Sequence, residues 1–291
     1  MDQAEQLRNI IKAANQSRPL ARVITVTSGK GGVGKSNTSI NLAIQFKKMG
    51  QRVIILDADF GLANIEIMFG TVPKHNLCDL IYQGKKIQEI ITWGPMGVGF
   101  ISGGSGIAGM ANLSRDYLSY IIQNLAELDA IADIIIIDTG AGISDAVLEF
   151  LVASGEILLV TTPEPTSITD SYSLLKELSW HSRFSTENTQ IKMIANRVEK
   201  EEDGQVLFNK LNAVVARYLK IPFSYLGAVP YDNLLSKAVM QQQPVSLQNP
   251  SAKSSLAYEA VAAKLMDREV PVPKRGMAAF FSHIVNGKKK G

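Results

Sequence analysis

Residues 29–36 read Gly29-Lys30-Gly31-Gly32-Val33-Gly34-Lys35-Ser36, the frame G-x-x-x-x-G-K-S. An apolar run, Val23-Ile24-Thr25-Val26-Thr27, precedes the frame, and a helical pattern, Asn41-Leu42-Ala43-Ile44-Gln45-Phe46, follows it. Strand, glycine loop and helix in that order make a phosphate-binding loop. The glycines let backbone N–H groups converge on phosphate oxygens without a Cβ in the way. The helix N-terminus adds its partial positive charge. Lys35 is expected to reach the β- and γ-phosphates of a nucleotide, and the Ser36 hydroxyl to ligate Mg²⁺.

The rest of the chain supplies a matching frame. Strand-like runs recur at 22–27, 52–57, 98–101, 133–138, 156–161, 191–195 and 225–229, with helical patterns such as 114–128 and 167–180 between them. Ile134-Ile135-Ile136-Ile137 is apolar without alternation, as in a strand buried on both faces. The pattern predicts an α/β fold, a mostly parallel sheet with helices on both faces. A length of 291 residues and a hydrophobic content of 46% support a sizeable core. Ligands of such folds bind at the carboxyl ends of the strands, where the motifs below fall.

Composition excludes several classes. The net charge of +3 is too mild to announce nucleic acid, and none is expected as a partner. One cysteine, Cys78, excludes an internal disulfide framework and a cysteine-ligated metal site within one chain. It fits a reducing cytosol and reads as a small buried hydrophobe. The polar start Met1-Asp2-Gln3-Ala4-Glu5-Gln6 is not a secretory signal. No apolar stretch approaches the ~18 residues of a membrane span.

Two acidic clusters extend the chemistry. The second strand runs into Asp57-Ala58-Asp59-Phe60-Gly61-Leu62-Ala63-Asn64, with two carboxylates two residues apart on one side of a strand. Beside a triphosphate they would hold Mg²⁺-bound water and position an attacking water. The fourth strand closes on Ile137-Asp138-Thr139-Gly140-Ala141-Gly142, a Walker-B arrangement. Asp138 would act on the Mg²⁺ shell, and Gly140 would bring a backbone N–H near the γ-phosphate.

These motifs resemble the MinD/ParA class of P-loop ATPases. Lys30 in Lys-Gly-Gly-Val-Gly-Lys-Ser matches its deviant Walker-A signature; Asp57–Asn64 matches switch I of the MinD branch, and Asp138–Gly142 matches switch II. Thr162-Pro163-Glu164 and Val229-Pro230-Tyr231-Asp232 also sit where that branch has similar segments. The resemblance covers roughly residues 20–265. It implies an ATP/ADP and Mg²⁺ site formed by Gly29, Lys30, Gly31, Gly32, Val33, Gly34, Lys35, Ser36 and Asn37, with Ser36, Asp57 and Asp138 on the metal, partly through water. It further implies an ATP-bound homodimer in which Lys30 crosses to the partner's phosphates. Lys30, Lys35 and Asp59 would then be the catalytic residues, Asp59 orienting the water. Asn196 would read the adenine edge, with Arg197, Pro230, Tyr231 and Asp232 beside it. Asn196-Arg197-Val198-Glu199 departs from the guanine-reading Asn-Lys-x-Asp, which favours ATP.

The tails narrow the resemblance. Met277, Phe280, Phe281, Ile284 and Val285 share one helical face and are followed by Lys288, Lys289 and Lys290. This is an interfacial membrane pattern, and a terminal helix docked on the core would show the same periodicity. His283 reads as a polar-face residue. The start, Asp2-Gln3-Ala4-Glu5-Gln6-Leu7-Arg8, resembles the D-Q-A-x-x-L-R element of the FlhG (YlxH/FleN) family, MinD-like ATPases that set flagellar number and position. In that family the element activates the GTPase FlhF, and Gln3 is the residue implied. An ordinary amphipathic arm, with Ala4, Leu7, Ile10 and Ile11 inward, fits the same residues. The resemblance implies FlhF, flagellar C-ring proteins and an anionic membrane as partners, and a cytoplasmic protein held reversibly at the inner face of the membrane. The implied organisation is an arm at 1–19, an ATPase domain at 20–269, and a linker with a membrane-targeting helix at 270–291. Division placement, DNA partition and iron–sulfur transfer are the competing roles within the superfamily; an iron–sulfur carrier would need paired cysteines.

Overall fold

The computed structural model describes residues 20–59, 64–103, 123–267 and 276–287, with side chains as far as Ile284. β1 (Arg22–Ser28) feeds the glycine loop into α1 (Lys35–Lys48). β2 (Val53–Ala58) leads to α2 (Asn64–Phe69), α3 (Leu77–Gln83), α4 (Ile87–Ile90), β3 (Thr92–Trp93) and β4 (Gly99–Ser102). α5 (Leu128–Ile131), β5 (Ile134–Ala141), α6 (Asp145–Ala153), β6 (Glu156–Thr161), α7 (Pro165–Trp180), β7 (Gln190–Val198), α8 (Glu201–Tyr218) and β8 (Phe223–Pro230) follow. The chain closes with α9 (Asn233–Met240), α10 (Val245–Gln248), α11 (Lys253–Met266) and α12 (Gly276–Gly287).

The eight strands lie in the order β3-β4-β2-β5-β1-β6-β7-β8, and every neighbouring pair is parallel except β3 with β4. β1 has β5 on one side and β6 on the other, so the winding reverses beside the glycine loop. That crevice is where open α/β sheets take ligands. Both sheet faces are covered, as the Ile134–Ile137 run predicts. Ile134 and Ile136 pack with α1 and α11 on one face, whereas Ile135 and Ile137 pack with α6 and α12 on the other.

Local chemistry sets several boundaries. The Asn76 side chain accepts the Cys78 N–H at 2.7 Å, starting α3. Pro165 occupies the first turn of α7, where its missing N–H costs nothing. β3 was not legible: two residues carry no periodicity. It is held by Trp93 against Gly99, where an added Cβ would come within 3.2 Å of the indole. Cys78 is half-buried rather than buried. The arm at 1–19 with Gln3, the 114–122 part of the expected helix, the 60–63 part of the switch I pattern, the Val285 side chain and Lys288–Lys290 lie outside the described residues.

α12 corrects the expectation of a presented apolar face. Met277, Phe280 and Phe281 are at most 1% exposed and Ile284 is 5% exposed, all inside the cluster that covers one face of the sheet. Phe280 stacks on Phe150 of α6 at 5.9 Å and meets Phe281 edge-on at 5.4 Å. The helix that reads as a membrane anchor is part of the core, because its apolar side chains find the uncovered face of the sheet within their own chain. His283, by contrast, is exposed as expected. No helix among the described residues is long and apolar enough to cross a membrane.

Candidate nucleotide site

The loop between β1 and α1 forms a cradle. Gly34 has φ 94° and sits at the N-cap of α1 with no side-chain cap, so the first-turn N–H groups face the loop. A Cβ on Gly34 would lie 2.3 Å from Asn196 Nδ2, and one on Gly29 would lie 2.3 Å from the Asp170 backbone of α7. These two glycines are therefore required by close approach. Beside Gly31 and Gly32 an added Cβ would meet nothing within 4 Å, which leaves the phosphate side of the cradle open.

Lys35 is 7% exposed, and its Nζ lies 3.3 Å from Asp138 Oδ2 and 3.5 Å from the Ser36 hydroxyl. The Ser39 hydroxyl donates to Asp138 Oδ1 at 2.7 Å. Asp138 Oδ2 is buried without a hydrogen-bond partner among the described residues, so the ammonium is near it by charge and not by bond geometry. Asp57 is the register partner of Asp138 across β2 and β5. Burial, and then the Asp138 charge, push the Asp57 carboxyl up to about 7. Two buried carboxyls with one unbonded oxygen, beside the Ser36 hydroxyl, are a hard-oxygen donor set that suits Mg²⁺.

The switch carboxylates divide their tasks. Asp57 accepts the Asp59 N–H at 3.1 Å and the Ile65 N–H at 3.3 Å, so it anchors both ends of the turn leaving β2. Asp59 lies past the strand end, where its Oδ2 accepts from Asn64 Nδ2 at 3.2 Å. Asp59 Oδ1 is 3.7 Å from where a Cβ on Gly140 would stand, so the two switch segments meet at this point.

Lys30 is turned away from its own cradle. Its Nζ donates to Glu164 Oε2 at 2.9 Å and to Thr166 Oγ1 at 2.7 Å. The Lys30 ammonium holds the Glu164 carboxyl below its ordinary value. Glu164, Thr166 and Ser39 carry no role legible in the sequence; each acts only through a partner brought close by the fold.

A cleft of ≈ 330 Å³ opens beside the cradle, lined in part by Gly34, Asn37, Asn196, Arg197, Pro230 and Tyr231. Its walls are the residues expected around a base. Asn196 itself is 5% exposed; its Nδ2 donates to the Val33 carbonyl at 2.7 Å and its Oδ1 accepts the Arg197 N–H at 3.0 Å. The side chain thus ties the glycine loop to β7, and Arg197, held at φ 58°, is the exposed neighbour. Asp232 caps α9 through the Leu234 N–H and accepts from the Ser254 N–H and hydroxyl, which fixes the Pro230–Tyr231 wall.

Comparison with known proteins agrees with this geometry. A family profile for ParA, described as an NUBPL iron-transfer P-loop NTPase, matches residues 19–266. The antiactivator FleN of Pseudomonas aeruginosa is 40% identical over 260 residues, 89% of this chain and 91% of that one. The flagellum site-determining protein YlxH of Helicobacter pylori is 32% identical over 295 residues, 98% of each chain. MinD from the Aquifex aeolicus MinC:MinD complex superposes with a TM-score of 0.66 at 22% identity, over 88% of this chain and all of that one. The chain belongs to the ParA/MinD family of P-loop NTPases and is an ATPase of that type.

Proposed function

We propose that the chain is a nucleotide-controlled switch that sets flagellar number or position. The observation that carries the reading is the 32% identity to a flagellum site-determining protein along 98% of both chains, with 40% to FleN; the MinD relative of Chlorella vulgaris reaches 28%. Lys35 and the α1 N-terminus would bind the phosphates of ATP, and Ser36, Asp57 and Asp138 would hold the shell of a Mg²⁺ ion, which would supply neutralisation of the γ-phosphoryl charge. Asp59 orients the attacking water beside Gly140. Lys30 exchanges Glu164 and Thr166 for the phosphates of a second copy, placing a cation on developing negative charge. The off-state is then the Lys30–Glu164 contact seen here, and the on-state is a homodimer.

The buried α12 sets a condition on membrane attachment. Burial of each large apolar side chain stabilises the dock by roughly 1.5–3 kcal/mol, and a lipid interface returns a similar amount. The apolar terms therefore nearly cancel. The balance is left to Lys288–Lys290, each contributing about 1 kcal/mol at an anionic surface, and to the pairing of two tails in a dimer. Release on dimerisation, and Gln3 acting on FlhF, complete the proposed cycle at the inner face of the membrane.

The test is deletion of the gene and complementation with wild type, Lys35→Ala and Lys30→Ala, counting flagella per cell by electron microscopy. Altered flagellar number that only wild type restores supports the reading. Unchanged flagella with misplaced division septa would replace it with division placement.

A further inference from the structure

The end of the sheet opposite the nucleotide cradle carries a junction of three chain segments. Asp129 of α5 is 4% exposed. Its Oδ1 accepts the Ala21 N–H at 3.3 Å, and its two oxygens accept the Met277 N–H at 3.1 and 3.2 Å. Gly276 has φ 64°, and a Cβ there would lie 2.5 Å from Asp129 Oδ2 and 2.9 Å from Leu20 Cδ2. Glycine is thus required where the start of α12 meets the start of the described chain. Next to Ala21, Arg22 donates from Nη1 to the Leu265 carbonyl at 2.6 Å, and its Nε and Nη2 grip Glu156. Leu265 lies near the end of α11, and Met277 lies in the first turn of α12. Arg22 therefore bonds to the chain before the 268–275 link, and Ala21 shares Asp129 with the chain after it.

We infer that Asp129 is a positioning residue that couples the two tails: one carboxylate holds the inner end of the N-terminal segment at Ala21 and the first turn of the C-terminal helix at Met277, so loosening either loosens the other. A carboxylate at a helix N-terminus suits the dipole, and here it comes from outside the helix. When α12 leaves, Asp129 loses the donor that reaches both its oxygens, and water enters beside the Ala21 N–H. When a partner draws residues 20–22 outward, Asp129 and the Leu265 carbonyl lose their donors and the first turn of α12 loses its backing. The far end of α12 is fastened separately: Arg183 donates to the His283 carbonyl at 2.6 Å and pairs with Glu149 of α6. The coupling concerns the dock itself and stands whatever surface the freed helix meets.

The test is residue-resolved amide hydrogen exchange on the full chain. Phe280→Ala removes the ring that stacks on Phe150 and takes away no donor or acceptor of the Asp129 junction. The expected result is at least about tenfold faster exchange at Met277–Ile284 together with a matching rise at Ala21, as a cooperative unit requires. The Arg22 N–H, which donates to the Asp133 carbonyl, should stay protected and serves as the internal reference. Arg183→Ala, from the opposite and partly exposed end, makes the same comparison if Phe280→Ala also loosens β5. Asp129→Ala should free Ala21 and Met277 together. Freed α12 amides with Ala21 still protected, or an Asp129→Ala chain with either amide unchanged, would overturn the coupling.

Discussion

The two ends of the sheet teach opposite lessons. At the carboxyl end, β1, β2 and β5 deliver Gly29–Ser36, Asp57 and Asp138 to one crevice, which is open beside Gly31 and Gly32. At the other end Ala21, Asp129, Leu265 and Met277 close on one another, and every group faces its own chain. The first end holds Lys30 by exposed contacts that are easily broken. The second holds its segments by buried ones. α6 spans the distance between them: it begins just after the Gly140–Gly142 switch and carries Phe150, on which α12 stacks.

Breaking one end without the other is the sharpest way to test this division. Lys35→Ala should lower ATP turnover by about 10²–10³-fold, the scale of losing a cation that stabilises transferred phosphoryl charge, while α12 exchange in the nucleotide-free chain stays as in wild type. Loss of α12 protection in that variant would show that the ends are not separate. Arg183→Ala, which removes the tie to the His283 carbonyl and leaves the apolar face of α12 whole, should weaken the dock by about 1–3 kcal/mol and raise liposome binding, with ATP turnover in the absence of liposomes unchanged; a flotation assay and a turnover assay read both.

A smaller effect separates positioning from contact. Asn196→Ala leaves the Val33 carbonyl without its donor, which costs about 1–3 kcal/mol where the loop must be ordered for nucleotide. Nucleotide Kd should rise on the order of tenfold, and thermal stability should recover when nucleotide is saturating. An unchanged Kd would mean the glycine loop holds its shape alone.

The smallest effect is a pH dependence at the closed end. Burial raises the Asp129 carboxyl from 3.8 to about 6, against the pull of the Met277 and Ala21 N–H groups. The folded chain thus binds a proton at Asp129 more readily than the unfolded one. The proton-linked contribution to folding is full below the unfolded value of 3.8 and is lost as pH rises through about 6. Exchange of the α12 amides, corrected for the intrinsic rate, should slow as pH falls through this window, and Asp129→Asn should flatten the profile. A slope that survives Asp129→Asn would assign the proton elsewhere.

Legibility followed the same division. The glycine loop could be read because phosphate binding by backbone N–H groups uses consecutive residues, and the flanking strand and helix announce themselves by periodicity. Asp57 and Asp138 could each be read at a strand end, but their pairing across β2 and β5 is a matter of register. Ser39 donates to Asp138 from one turn beyond Lys35, a hydroxyl with no local mark. Asn196 reads in sequence as a residue at the end of a strand, and its hold on Val33 spans 163 positions. Asp129 and Arg183 carried no signal, since a carboxylate capping another segment's helix looks in sequence like any surface acid.

The C-terminal helix shows where sequence stops. Met277, Phe280, Phe281 and Ile284 fixed an amphipathic helix, because the 3.6-residue period is a property of the chain. The period does not name what covers the apolar face: lipid and protein both remove it from water. Only the tertiary structure chose, by leaving one face of the sheet open beside α6 and by bringing Asp129 and Arg183 to the two ends of the helix. The sequence by itself determined the nucleotide chemistry and the α/β frame, since contiguous residues carry both. The closed junction of the tails was decided by contacts between residues more than a hundred positions apart, such as Ala21 with Asp129 and Asp129 with Met277.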